Sequence, residues 1–235
     1  MRRIGSLSCA LVWLALASSA HAAEGAGEAA NAPGWIATLG FSAEVATGGD
    51  NSILPSTIEL RRADEPEGFG APDDAFGWAL LDWNGLSLGP AGDVRRVSNR
   101  LAADAGAFAE YWPVEGRVRL RAEALDNVGS GQGAHLTLGS DLVLPAFSGS
   151  TFSVGPRLTL GTEDFFKTGV DARDAVPASR RFYAGATTAL KVPLTPGVST
   201  TIYDEIQTPL AGNGRRDGHA ENTLGAEVDF SFKVP

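Results

Sequence analysis

Residues 101–144 read LAADAGAFAEYWPVEGRVRLRAEALDNVGSGQGAHLTLGSDLVL. Side chains alternate in character along this stretch, and a period of two marks strands whose two faces meet different surroundings. Over 101–112 the odd positions are Leu101, Ala103, Ala105, Ala107, Ala109 and Tyr111, whereas the even ones include Asp104, Gly106 and Glu110. After a turn at 113–116, Arg117, Arg119, Arg121 and Glu123 share one face, with Val118, Leu120, Ala122 and Ala124 on the other. Next, Leu136, Leu138, Leu142 and Leu144 alternate with His135, Thr137, Gly139 and Asp141.

Outward from this stretch the pattern repeats. Phe152, Val154, Leu158 and Leu160 alternate with Thr151, Ser153, Gly155, Arg157 and Thr159. Leu224, Ala226, Val228, Phe230 and Phe232 alternate with Thr223, Gly225, Glu227, Asp229 and Ser231. Softer alternation covers 35–45, 54–61, 76–82, 86–93, 181–193 and 198–207, giving eleven candidate strands. Tight connectors at 84–85, 113–116, 145–150 and 193–197 take turns with longer polar ones at 63–75, 94–100, 127–133, 163–180 and 209–220. Short turns at one end and long loops at the other describe an all-β, antiparallel up-and-down barrel. Bacterial membrane barrels close with an even number of strands, so 10 or 12 are expected.

Two environments produce such alternation. A soluble barrel or sandwich packs large apolar residues inside, and a membrane barrel turns them out to lipid. Here the polar face is a ladder of Asp104, Glu110, Arg117, Arg119, Arg121, Glu123, Asp141, Arg157, Glu227 and Asp229. The apolar face is Val118, Leu120, Leu136, Leu138, Leu142, Val154, Leu158, Leu160, Leu224, Val228, Phe230 and Phe232. Tyr111, Trp112, Phe152, Phe182, Phe230 and Phe232 fall near strand ends, like the interfacial girdles of a transmembrane barrel. The expected fold is therefore a membrane barrel with charges inward and apolar side chains against outer-membrane lipid and lipopolysaccharide.

The leader supports that compartment. Residues 1–22 carry Arg2 and Arg3, an apolar run of roughly a dozen residues and a final Ala20-His21-Ala22, the features of a secretory signal peptide cleaved between Ala22 and Ala23. The expected organisation is a signal peptide over 1–22, a flexible segment over 23–33 and a barrel over 34–235. The single Cys, Cys9, leaves with the leader, which excludes a thiol nucleophile, a disulfide or a cysteine metal site from the remainder. The formal net charge of −9 becomes more negative without the two arginines, so nothing electrostatic favours nucleic acid as a partner. No apolar run after residue 22 is long enough for a spanning helix.

The stretch AGAFAEYWPVEGRVRLRAEALDNVGSGQGAHLTLGSDLVLP, followed by SVGPRLTLGTEDFFKTGV and the closing EVDFSF, resembles the MipA/OmpV family of outer-membrane proteins. GWIATLGFSAEV stands where that family has its opening Gly-Trp strand, and the likeness spans the chain after the leader. Two features depart from the family pattern: the loop after the first strand is reduced to ATGGDNSILP, and the chain continues past Phe230 and Phe232 to Lys233-Val234-Pro235 instead of finishing on an aromatic. The resemblance implies a Gram-negative outer membrane and a non-enzymatic scaffold that brings a lytic transglycosylase and a penicillin-binding protein together. It supplies no catalytic residues and no cofactor.

Chemistry sought on its own terms gives little else. Pairing around 113–116 is expected to bring Glu110 to Arg119 or Arg117, where opposite charges attract across the ladder. The ladder then either fills a narrow lumen or lines a pore that selects small solutes. His135 lies on the polar face and Ser140 on the opposite one, a poor geometry for a hydrolytic pair, and Ser153 is the other serine to compare. Asp64, Glu65, Glu67, Asp73 and Asp74 crowd one connector, and Glu163 with Asp164 opens another. Lacking the ligand order of a calcium loop, these acids are read as solvated, and no metal site is assigned. Gly129, Gly131 and Gly133 precede no helix and read as a hairpin tip rather than a phosphate loop.

Overall fold

The computed structural model describes residues 34–46, 51–63, 68–97, 100–129, 133–162, 164–165, 182–210 and 220–234. The leader, its cleavage site at Ala22 and Ala23, segment 23–33, and Asp64, Glu65, Glu67, Gly131, Glu163 and His219 lie outside them. Twelve strands occur among the described residues: β1 (Trp35–Ala46), β2 (Asn51–Arg62), β3 (Phe76–Gly77), β4 (Leu81–Trp83), β5 (Leu86–Val97), β6 (Arg100–Val114), β7 (Val118–Asn127), β8 (Ala134–Pro145), β9 (Thr151–Gly161), β10 (Phe182–Thr195), β11 (Val198–Pro209) and β12 (Glu221–Val234). Sheet order is β2-β1-β12-β11-β10-β9-β8-β7-β6-β5-β3, with β4 also on β5. The result is an antiparallel meander rolled into a nearly closed barrel, with β12 returning to β1 from Trp35↔Val234 to Ala46↔Thr223.

Ten strands are long, and β3 and β4 are short pieces. The sequence candidate at 76–82 is thus two fragments lying along β5, through Phe76↔Gly92 and Leu81↔Leu88. Splitting it turns eleven candidates into twelve strands.

Turn chemistry fixes one rim. Asn84 and Gly85 both have positive φ (50° and 77°), the type I′ geometry whose twist matches its flanking strands. Gly116 and Gly197 supply left-handed positions in the β6–β7 and β10–β11 turns. Two connectors differ from expectation. Residues 94–97 and 100 belong to β5 and β6, because the ladder extends to Val97↔Arg100. The connector expected at 63–75 begins, at residue 63, beside Trp35 on the short-turn rim rather than the long-loop rim, since Arg62 pairs with Trp35 and β1 runs away from that rim.

Side-chain burial decides the polarity of the wall. On β7, Arg119 is 0% exposed and its neighbour Leu120 is 44% exposed. On β8, Asp141 is 1% exposed and Leu142 43%. Leu138, Leu224 and Phe232 are likewise exposed outside, with Val118, Leu136, Val154, Leu158, Leu160, Val228 and Phe230 half-buried on the same outward phase. The charged phase is the buried one. This is the inside-out arrangement of a transmembrane β-barrel, and no helix among the described residues is long and apolar enough to cross a membrane.

Aromatics gather at the short-turn rim. Trp35, Trp83, Tyr111, Phe147 and Phe232 are exposed there, and Phe182 is exposed at the opposite end of β10. Trp112, expected among them, instead turns inward at a bulge and donates its Nε1–H to Glu110 at 2.8 Å.

Candidate functional site: a lumen closed from within

Two strands carry the three arginines. Arg119 and Arg121 sit two apart on β7, hence on one face, and Arg157 comes from β9 through the register Arg121↔Gly139↔Arg157. Gly139 keeps the wall low at that point: a Cβ there would press on the Arg157 side chain. Asp141 lies opposite Arg119 across the β7–β8 ladder and reaches both arginines. Its Oδ2 accepts from Arg119 Nε (2.9 Å) and Nη2 (2.6 Å), and its Oδ1 from Arg157 Nη2 (2.7 Å).

The remaining partners come from the connector after β2, whose residues 68–75 run inside the barrel as a plug. Asp74 accepts from Arg119 Nη1 (2.5 Å) and Nη2 (3.0 Å), and Asp73 from Arg157 Nε (2.5 Å) and Nη2 (3.0 Å). These acids were read from sequence as solvated. The structure overturns that reading, because four close arginine donors balance the desolvation of the two carboxylates. Phe69 lies under Arg119, 4.8 Å from the guanidinium carbon to the ring centre, and packs edge-on against Trp112. Asp74 lies on the plug, outside the spanning strands. Burial disfavours its charge, yet Arg119 and Arg121 outweigh that and hold its pKa at about 2.

Arg121 completes the belt, donating to Glu110 at 3.0 Å, Glu123 at 2.6 Å and the carbonyl of Ala75 at 2.8 Å. Glu110 therefore pairs chiefly with Arg121 rather than Arg119 or Arg117; its contact with Arg119 is longer, at 3.4 Å. The cause is the hairpin's geometry. Residues 115–117 form the loop between the Val114↔Val118 pair, and a bulge between Tyr111 and Val114 adds one more step, so Glu110↔Arg121 are opposite. Arg117 consequently belongs to the turn, where its N–H bonds Val114 and its side chain is exposed. It is not a lumen residue.

Other ladder members form separate clusters. Asp104 accepts from Arg95 Nε (2.5 Å) and Asn127 Nδ2 (2.7 Å). Glu227 accepts from Ser56 and Thr57, and Asp229 from Ser199, with Lys191 Nζ 3.6 Å away. His135 stacks on Phe165 with ring centres 4.3 Å apart. Ser140 points outward on β8, whereas Ser153 is buried within β9.

Sequence reading missed several inward groups. Phe108 and Leu125 join Ala75 and Ala91 in a small apolar cluster inside the barrel, and the Arg121 guanidinium rests on Phe108 at 4.5 Å. Both break the polar phase of their strands, which is the signal that could have found them. On the turn side of the plug lies a cavity of 980 Å³, lined by Phe69, Glu110, Trp112, Lys191 and turn residues including Gly85, Gly116 and Gly149. Across the plug a second space of 140 Å³ borders Thr38, Asp74, Glu227 and Asp229.

No family model matches this chain, and no curated protein does. Among solved structures, the chain is similar to the NanC porin, at 11% identity over 83% of this chain and 98% of that one, with a TM-score of 0.43. It is also similar to a loop L8 deletion mutant of OmpT, an outer membrane protein of Vibrio cholerae, at 8% identity over 86% of this chain and 100% of that one, with a TM-score of 0.35.

Proposed function

We propose that the protein is an outer-membrane barrel that works as a scaffold through its rims, and not by passing solute through its lumen. The observation carrying this reading is the plug: Asp73 and Asp74 are clamped by Arg157 and Arg119 across the barrel interior. A lumen filled by such pairs leaves the rims and loops to meet partners. The MipA/OmpV-like pattern of the sequence supports a lytic transglycosylase and a penicillin-binding protein as those partners, in a membrane of lipid and lipopolysaccharide. The reconstituted barrel, used as bait in envelope extracts, is expected to retain one or both enzymes. Failure to retain either, with a known barrel–enzyme pair working in parallel, overturns the scaffold reading.

A second reading is a small-solute channel, favoured by the 980 Å³ cavity that reaches from the turns to the plug. Planar-bilayer recording separates the two. A scaffold with a docked plug passes almost no current, and steady ohmic conductance from the unmodified protein favours the channel.

A further inference from the structure

We infer that Arg119 and Arg157 form a receptor for a dicarboxylate, which the adjacent Asp73 and Asp74 occupy as an internal ligand. The inference rests on the closed-lumen reading above and gives the closure a chemistry.

Each plug carboxylate is held by a two-point fork, Asp73 on Nε and Nη2 of Arg157 and Asp74 on Nη1 and Nη2 of Arg119. Paired, parallel donors of this kind select planar carboxylates. The forks are aimed by the wall, independently of the plug. Asp141 takes one oxygen to each guanidinium, and Arg157 Nη1 donates to the carbonyls of Ser140 (3.2 Å) and Pro156 (3.1 Å). Both arginines are almost wholly buried. Without the plug, Arg119 and Arg157 would share one close wall carboxylate, Asp141, with Glu110 3.4 Å from Arg119, so an incoming diacid supplies each fork with the planar partner that the plug otherwise provides.

Beyond the two forks the plug is held by a short set of contacts. Among the described residues its other ties are Thr187 Oγ1 to Asp73, the Ala75 N–H to Glu123, Arg121 to the Ala75 carbonyl and, at 3.7 Å, to Asp74, and the packing of Phe69 on Arg119 and Trp112. Its buried apolar side chains are only Ala71 and Ala75. Gly68 and Phe69 form part of the wall of the 980 Å³ cavity, so a solute entering from the turn rim meets the plug first.

The test uses the full barrel carrying Asp73→Asn and Asp74→Asn, which keeps the loop but removes the internal anion. In planar bilayers this variant is expected to conduct more than the unmodified protein. Succinate is expected to block that current at concentrations at least about tenfold below those needed for the monoacid propionate, and adding Arg157→Gln is expected to abolish the difference. Equal potency of the two acids, or a block indifferent to Arg157→Gln, overturns the inference. Calorimetric titration of succinate into the same variants reads the site even if the current stays low: one site lost with Arg157→Gln supports it, and no binding overturns it. If the double variant does not refold, hydrogen exchange at 68–75 of the unmodified barrel replaces it; excess succinate should speed that exchange, and unchanged exchange overturns the inference. Free conduction by the unmodified protein would instead defeat the closed-lumen reading, leaving the succinate comparison to decide the receptor separately.

Discussion

At Arg119 all three guanidinium nitrogens donate, Nε and Nη2 to Asp141 and Nη1 and Nη2 to Asp74, on a side chain with no exposure. Truncating one member of such a group leaves buried carboxylates without counter-charge. Arg119→Ala is therefore expected to lower the unfolding free energy in urea titrations of vesicle-embedded protein by about 3–5 kcal/mol. Asp74 gives the pH dependence. Docking lowers its pKa to about 2, below the roughly 3.9 of a free Asp, so its contribution to plug docking is whole above pH 4 and is lost as pH falls from 4 towards 2. Bilayer current from the unmodified protein should rise as pH falls from 4 towards 2, and Asp74→Asn should remove that step. The arginines were legible in the sequence because alternation is local. Their loop partners were not, since Asp73 and Asp74 lie 84 and 45 residues from Arg157 and Arg119 and no periodicity reports such a distance.

The strands themselves were legible almost to their ends, because each has one phase for lipid and one for the lumen and a slip by one residue would invert both. Exceptions came where backbone geometry, not side-chain pattern, decides. The bulge at Trp112 and Pro113 turns an expected girdle residue inward and moves Arg117 into a turn. The stretch 76–82 has strand-like composition, yet it yields two fragments because Pro90 of β5 has no N–H to donate beside Trp78 and the register slips by one between Gly77↔Ala91 and Leu81↔Leu88. Two substitutions test the wall. Leu138→Arg puts a charge on the outer face of β8 and should cost about 2–4 kcal/mol if that position lies near the bilayer midplane, whereas the same change in an exposed turn, at Glu115, should cost almost nothing. Gly155→Ala would drive a Cβ into the backbone of Ser140 on the neighbouring strand, and overpacking of this kind should cost about 1–3 kcal/mol by the same urea titration.

On the scale of the whole molecule, the barrel is organised as a lipid-facing shell around an ionic interior, with the connector after β2 folded into the space that the ten long strands enclose. The shell and its polarity follow from alternation alone, and the plug is held inside by the forks of Arg119 and Arg157. Both depend on the direction of β8, whose even residues 136–144 must meet lipid and whose odd residues must not. The most direct measurement is a nitroxide scan of residues 134–145 in bilayers, reading accessibility to oxygen, which concentrates in lipid. Maxima at 136, 138, 140, 142 and 144 with minima at the odd positions are the expected result. Maxima at the odd positions, or no oscillation at all, would contradict an inside-out barrel and everything placed within it.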